Sequence, residues 1–204
     1  MTAGQWFARA ATVVVVRSPR LWRLFRGRLS RSFDRLAPEW DTTRASPSRL
    51  DAIGAALDGL AESPRSVLDL GTGTGSVARL VAGRWSDAEV TGVDMSAGMV
   101  AEARRLTTSG SVRYEVADSS ALPFPDGAFD LVALNNMIPF FDEIARVTAP
   151  GGHVAIAYSR GPRTPIWVPL ERVQKELAAR EFTHFANFSV GEGVSLLARK
   201  RDQS

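Results

Sequence analysis

Apolar and polar positions along this chain follow two rhythms, and the points where one gives way to the other mark out its elements. Val67, Leu68 and Leu70 form a short apolar run, as expected of a buried strand. From Ser76 the rhythm turns helical, with Val77, Leu80 and Val81 on one face. Residues 89–94 predict a second strand and 96–106 a second helix. Residues 112–118 alternate like a third strand, and 129–134 read as a fourth. A short helix over 139–148 and a strand over 153–158 follow, broken apart by Pro150-Gly151-Gly152. The spacing of Ile166, Val168, Leu170, Val173 and Leu177 predicts a longer helix over 164–180. Residues 182–190 and 194–199 flank Gly191-Glu192-Gly193 as a β-hairpin. Upstream, Leu50, Ile53, Leu57 and Leu60 give one apolar stripe, with Ser46 as its N-cap and Pro47 in its first turn. Strands alternating with helices predict an α/β fold built on a mainly parallel sheet.

The chemistry begins where the first strand meets its turn, Asp69-Leu70-Gly71-Thr72-Gly73-Thr74-Gly75. Glycines here permit left-handed backbone angles and let a ligand approach the main chain, and a helix N-terminus follows at once. The strand, loop and helix make a nucleotide-binding corner. The dinucleotide fingerprint needs a third glycine where Ser76 stands, and no Lys-Ser or Lys-Thr pair follows the loop as a P-loop requires. Asp69, two residues before the first glycine, suits a cationic or hydroxyl-bearing ligand better than a pyrophosphate, which it would repel. Asp94 ends the second strand, where a carboxylate can accept from ribose hydroxyls. Its other possible task, capping the next helix, is one that Ser96 already fits. The third strand also ends in a carboxylate, Asp118.

Four blocks resemble the class I S-adenosylmethionine (SAM)-dependent methyltransferases: the 69–75 loop, the acids Asp94 and Asp118, the Leu122-Pro123-Phe124-Pro125-Asp126-Gly127-Ala128-Phe129-Asp130 stretch, and Glu143-Ile144-Ala145-Arg146-Val147-Thr148-Ala149-Pro150-Gly151-Gly152. The last two are similar to the ubiquinone/menaquinone-biosynthesis-like group. The resemblance covers about residues 60–200 and implies a Rossmann-like seven-stranded sheet, order 3-2-1-4-5-7-6, with strand 7 antiparallel and helices on both faces. It implies SAM as cofactor. Asp69, Gly71, Thr72, Gly73 and Gly75 would lie at its methionine end, Asp94 at the ribose, Met95 against the adenine face, and Asp118 with the Ser119 amide at the adenine edge. The carboxyl end of the fourth strand points into the crevice, so Asn135 would bond the methionine part and Asn136 face the substrate. Tyr158 and Arg160 stand at the same edge as further substrate-orienting candidates. Phe33 and Trp40 match the family's lid stretch; equally, they could anchor the N-terminal helix to the core.

Composition sharpens this picture in two ways. The 204 residues include no cysteine and two distant histidines, which excludes disulfides and thiol catalysis and leaves no metal site to expect. The net charge of +3 is uneven: residues 1–35 carry eight arginines against Asp34 alone, a charge of +7, so the remainder is acidic at −4. This basic segment divides the chain into an N-terminal helical segment or lid, 1–45, and a SAM-binding domain, 46–204. Its apolar run, Val13 to Val16, is far shorter than the ~20 residues a membrane crossing needs. With Leu21, Trp22, Leu24, Phe25 and Leu29 set among arginines, it suits peripheral contact with an anionic membrane, or simple docking on the domain. No nucleic-acid-binding module accompanies the charge. The expected compartment is the cytoplasm, with membrane association as its variant.

The function expected is methyl transfer to a small-molecule acceptor by in-line displacement at the sulfonium, in which positioning matters more than a strong base. His184 is the one weak base candidate. The short loop after the fourth strand implies a compact acceptor cavity, or one completed by the N-terminal segment or a second subunit in a homodimer. The alternative is a SAM-binding regulatory or partner protein without catalysis.

Overall fold

The computed structural model describes residues 3–44 and 47–202. Its centre is a seven-stranded sheet in the order β3-β2-β1-β4-β5-β7-β6. The strands are β1 (Ser66–Leu70), β2 (Glu89–Asp94), β3 (Val112–Val116), β4 (Phe129–Asn135), β5 (Thr148–Tyr158), β6 (Phe182–Val190) and β7 (Gly193–Lys200). The five strands β1 to β5 pair in parallel, and β7 runs antiparallel to both β5 and β6, as the resemblance implies.

Because side chains alternate across a strand, each strand feeds two cores. Val67, Leu131, Ala133, Ala155 and Ala157 face one side, packing against α4 (Asp51–Asp58), α5 (Ser76–Arg84) and α6 (Ala97–Leu106). Leu68, Val132, Leu134, Ile156 and Tyr158 face the other, with α7 (Phe141–Val147) and α8 (Leu170–Ala178). The alanines of the first face let α4 approach closely: the Ser195 hydroxyl donates to the Ala52 carbonyl at 2.6 Å.

Upstream lie α1 (Ala3–Arg17), α2 (Trp22–Leu36) and the short α3 (Trp40–Arg44). The first two cross the carboxyl ends of the strands and form a third apolar cluster. There Ala11, Val15, Trp22 and Leu29 meet Ile138 and Phe140 from the segment after β4. Arg9 ties α1 to the carbonyls of Pro162 and Thr164 beyond β5.

Two expectations are corrected. The helix expected over 164–180 is confined to Leu170–Ala178, because Pro169, its N-cap, cannot continue a helix begun upstream and Pro165 adds a second block. The Pro-Gly-Gly break does not interrupt a strand start at 153. Instead β5 begins at Thr148 and absorbs the glycines, with Gly151 at φ +75° and a register shift between Phe129 and Leu131 on its partner. The proposed cap Ser46 lies outside the described residues, and Pro47–Arg49 form a single 3-10 turn before α4.

Candidate functional site

The glycine loop leaves β1 with Gly71, Gly73 and Gly75 all in the left-handed region, at φ +74°, +54° and +85°. Gly71 has no room for a side chain: a Cβ there would overlap Met137. The loop is held from below by Asp69, which is fully buried. Its Oδ2 accepts from the Thr72 hydroxyl at 2.5 Å and from the Ala78 amide at 3.0 Å, joining the loop to the first turn of α5. Burial pushes the Asp69 carboxyl up to about 7, against the pull of these two bonds. Asp69 therefore braces the loop through Thr72, which is itself buried.

Asp94, at the end of β2, faces the loop directly. Its Oδ2 accepts from the Gly73 amide at 3.0 Å and its Oδ1 from the Ser96 amide at 2.9 Å, so each oxygen keeps lone-pair capacity for a further donor. Burial raises this carboxyl, the Ser96 and Gly73 bonds oppose the rise, and Asp34 adds repulsion. Ser96 caps α6 by accepting from the Met99 amide at 3.1 Å, which leaves Asp94 free of that task.

Beyond Asp94, a cavity of about 300 Å³ is lined by Met95, Val116, Ala117 and Asp118 on the domain side and by Arg26 and Gly27 of α2 on the other. Met95 also packs into the N-terminal cluster. Ser119 is buried beside Asp118. The Asp118 Oδ1 accepts from the amide and hydroxyl of Ser120 and from the Trp22 indole at 2.8 Å, and its Oδ2 from Arg26 at 3.0 Å. Burial would raise this carboxyl, but the Ser120, Arg26 and Trp22 bonds outweigh it and hold it below the ordinary range.

At the end of β4, the Asn135 amide nitrogen donates to the Arg49 carbonyl at 3.1 Å. Its Oδ1 is buried with no hydrogen-bond partner among the described residues. An orphaned acceptor beside a ligand-binding loop fits an ammonium or hydroxyl donor. Asn136 is held at φ +57°, and its Oδ1 accepts from the Ser159 amide at 2.9 Å and hydroxyl at 3.1 Å. It thereby clamps β4 to β5 at their carboxyl ends.

The remaining candidates lie further out. The Tyr158 ring is fully buried, edge-on to Trp167 at 5.0 Å, and burial raises its hydroxyl pKa. Arg160 is exposed and pairs with Glu192 at 4.0 Å. His184 lies near the start of the edge strand β6, where Thr183 pairs with Arg199 and Arg199 with His153; both histidines thus lie toward the amino end of the sheet, away from the crevice. Among the described residues no cluster of acids and histidines could hold a metal.

Phe33 and Trp40 stack edge-on at 5.8 Å, and Phe33 joins the N-terminal cluster. The acids beside them, Asp34 and Asp41, make the decisive contacts. Asp34 accepts from the Ser96 hydroxyl at 2.6 Å and the Gly98 amide at 3.1 Å, a carboxylate placed at the positive end of α6. These bonds lower its pKa. Asp41 accepts from the Thr74 hydroxyl at 2.6 Å, pinning the glycine loop from above. The signal was present as a repeated aromatic-Asp pair, Phe33-Asp34 and Trp40-Asp41. Trp22, Arg26 and Met137 carried no such signal.

Residues 67–152 match the family model of a methyltransferase domain. Over these residues the chain is similar to methyltransferases. It is 38% identical over 141 residues to a demethylmenaquinone methyltransferase of Thermus thermophilus, covering 61% of this chain and 62% of that protein. It is 36% identical over 143 residues to a malonyl-[acyl-carrier protein] O-methyltransferase of Halorhodospira halophila, covering 66% of this chain and 48% of the relative. The chain thus spans less than two thirds of the length of these relatives. Its fold is shared with the putative methyltransferase solved in complex with the Trm112 activator of Haloferax volcanii, at TM-score 0.70 and 20% identity over 83% of this chain and 97% of the other. The resemblance implies SAM as the cofactor of such a domain. The orphaned Asn135 Oδ1, the left-handed Gly71 and the spare lone pairs of Asp94 are groups that fit it.

Proposed function

We propose that this protein transfers a methyl group from SAM to a small apolar acceptor. The observation that carries the reading is the contact of Met137 with Gly71. Met137 belongs to an apolar wall with Ile138, Phe140, Phe33 and Ile166, so this wall and the cofactor loop share an edge. An acceptor seated against the wall would present its nucleophile to the loop.

Bound there, SAM supplies a methyl group activated by the adjacent sulfonium. Asp94 would hold the ribose hydroxyls, the Asn135 carbonyl oxygen would accept from the ammonium group, and Met95 would flank the adenine. Asn136 and Ser159 keep the ends of β4 and β5 together, so that acceptor and methyl group stay aligned. The α1–α2 pair excludes water from above. The apolar wall favours a ring acceptor of the kind named for the Thermus relative over the carrier-bound malonyl group named for the Halorhodospira one.

The same reading includes a location. Trp6 and Leu24 are 61% and 75% exposed, and Arg17, Arg20, Arg23 and Arg31 form no ion pair among the described residues. This supports peripheral contact of a cytoplasmic protein with an anionic lipid surface. No described helix is long and apolar enough to cross a membrane.

Calorimetric titration with S-adenosylhomocysteine (SAH), SAM and NADH tests the site, and label transfer from methyl-labelled SAM to demethylated quinols tests the chemistry. Micromolar binding of the first two with none of NADH, and labelled quinol, is the expected result. Binding without transfer to quinols, phenols or malonyl thioesters would favour the non-catalytic alternative.

A further inference from the structure

Helix α2 presents two opposed faces with different business. Trp22, Arg26, Leu29 and Phe33 recur at helical spacing and turn toward the domain: Trp22 and Leu29 are buried, and Arg26 reaches Asp118. Leu24, Arg28, Arg31 and Arg35 recur at the same spacing on the far side, all exposed. Among the described residues no acid pairs with the outer arginines, while Arg28 lies over the Phe7 ring at 4.6 Å. A 15-residue helix moves as a rigid rod about 22 Å long, so a force on one face is felt by the other.

The inner face occupies the carboxylate that the adenine amine needs. The Asp118 Oδ1 already takes three donors, more than its two lone pairs can serve well, and Oδ2 carries the Arg26 guanidinium. An adenine amine would have to share Oδ2 with a cation or displace it. Trp22, buried edge-on against Phe140 at 5.2 Å, holds the helix in this closed position. Withdrawing it exposes apolar surface that must find another partner.

We propose that α2 is a latch on the adenine site, released when the outer face of the α1–α2 hairpin docks on an anionic lipid surface. The proposal rests on the SAM site and peripheral contact described above. Arg17, Arg20, Arg23, Arg28, Arg31 and Arg35, all exposed along with Trp6 and Leu24, match a negative surface carrying an apolar interior. Docking of Leu24 and the arginines would tilt α2, part Trp22 and Arg26 from Asp118, and free both oxygens. Linkage then requires that the cofactor and the lipid strengthen each other's binding by the same factor.

The test titrates SAH into the full chain alone, with phosphatidylglycerol vesicles, and with phosphatidylcholine vesicles. Phosphatidylglycerol should tighten SAH by about tenfold, within the usual span of such couplings, and phosphatidylcholine should leave it unchanged. Trp22→Phe, which keeps the ring but loses the donor, and Arg26→Met should each tighten SAH without lipid and lose the response to it. Circular dichroism checks that both are folded. Leu24→Glu should abolish vesicle binding while keeping the lipid-free SAH affinity. Vesicle binding with unaltered SAH affinity would overturn the latch and leave the peripheral contact standing; absence of vesicle binding would overturn both. Weaker SAH binding by Trp22→Phe and Arg26→Met would show that these residues complete the site, and would overturn the latch too.

Discussion

Asp69 shows how a residue can serve a site while being costly to the fold. Its carboxyl is raised from 3.8 to about 7 by burial, so between those values the folded protein holds a proton that the unfolded chain releases. Stability contributed by this group is therefore full below pH 4 and falls as pH rises toward 7. Both bonds end on one oxygen, Oδ2, so Asp69→Asn can keep them. Urea unfolding at pH 5 and pH 8 should show the wild type losing about 2–4 kcal/mol more than the variant over that span. Equal losses would mean Asp69 is ionised throughout. Asp94 makes a different prediction. Asp94→Asn turns an amide donor toward the Gly73 or Ser96 N–H, and SAH binding should weaken by about 1–3 kcal/mol. Unchanged affinity in a calorimetric titration would remove Asp94 from the ribose. These acids were legible because a carboxylate at the end of a strand, beside glycines, has few other uses. The contacts of Asp34 and Asp41 were not, because their partners lie 62 and 33 residues away and only folding brings them together.

At the scale of elements, the crossover between β3 and β4 depends on one side chain. Arg146 of α7 donates to Glu143, to Asp126 and to the carbonyls of Leu122 and Phe124, while Glu143 accepts from the Leu122 amide. A loop with two prolines and an Asp-Gly has no helix to satisfy its main chain, and this arginine does so instead. Arg146→Met leaves those carbonyls and a part-buried Glu143 without their donor. It should cost about 2–3 kcal/mol in urea unfolding, and a loss below 0.5 kcal/mol would show that water replaces the guanidinium. The Glu-Ile-x-Arg run announces this network. By contrast, apolar spacing alone overextended α8, because periodicity continues through Pro165 and Pro169 while the hydrogen-bond ladder cannot.

For the whole molecule, a ligand that binds only the folded state stabilises it by mass action, about 2.7 kcal/mol at one hundred times its dissociation constant. For a chain of this size that corresponds to a rise of about 5–10 °C in Tm. SAH should produce it in a thermal scan and NADH should not; equal shifts would undo the reading of Ser76 and Asp69. The order of the sheet was legible only through the family resemblance, since alternation of strand and helix gives a mainly parallel sheet and the closing segment a hairpin, without fixing which strands are neighbours.

What this sequence determines by itself is local. The two hydrophobic periods define the strands and most helices, the glycines allow backbone angles that other residues avoid, and acids at strand ends mark the crevice. Each depends on a few neighbouring residues, so each is written where it can be read. What only the tertiary structure decides is how residues 3–44 meet the rest. The placement of Trp22 and Arg26 on Asp118, of Asp34 on α6 and of Met137 on Gly71 depends on surfaces made by distant strands, and no local period encodes a contact across 60 to 100 residues.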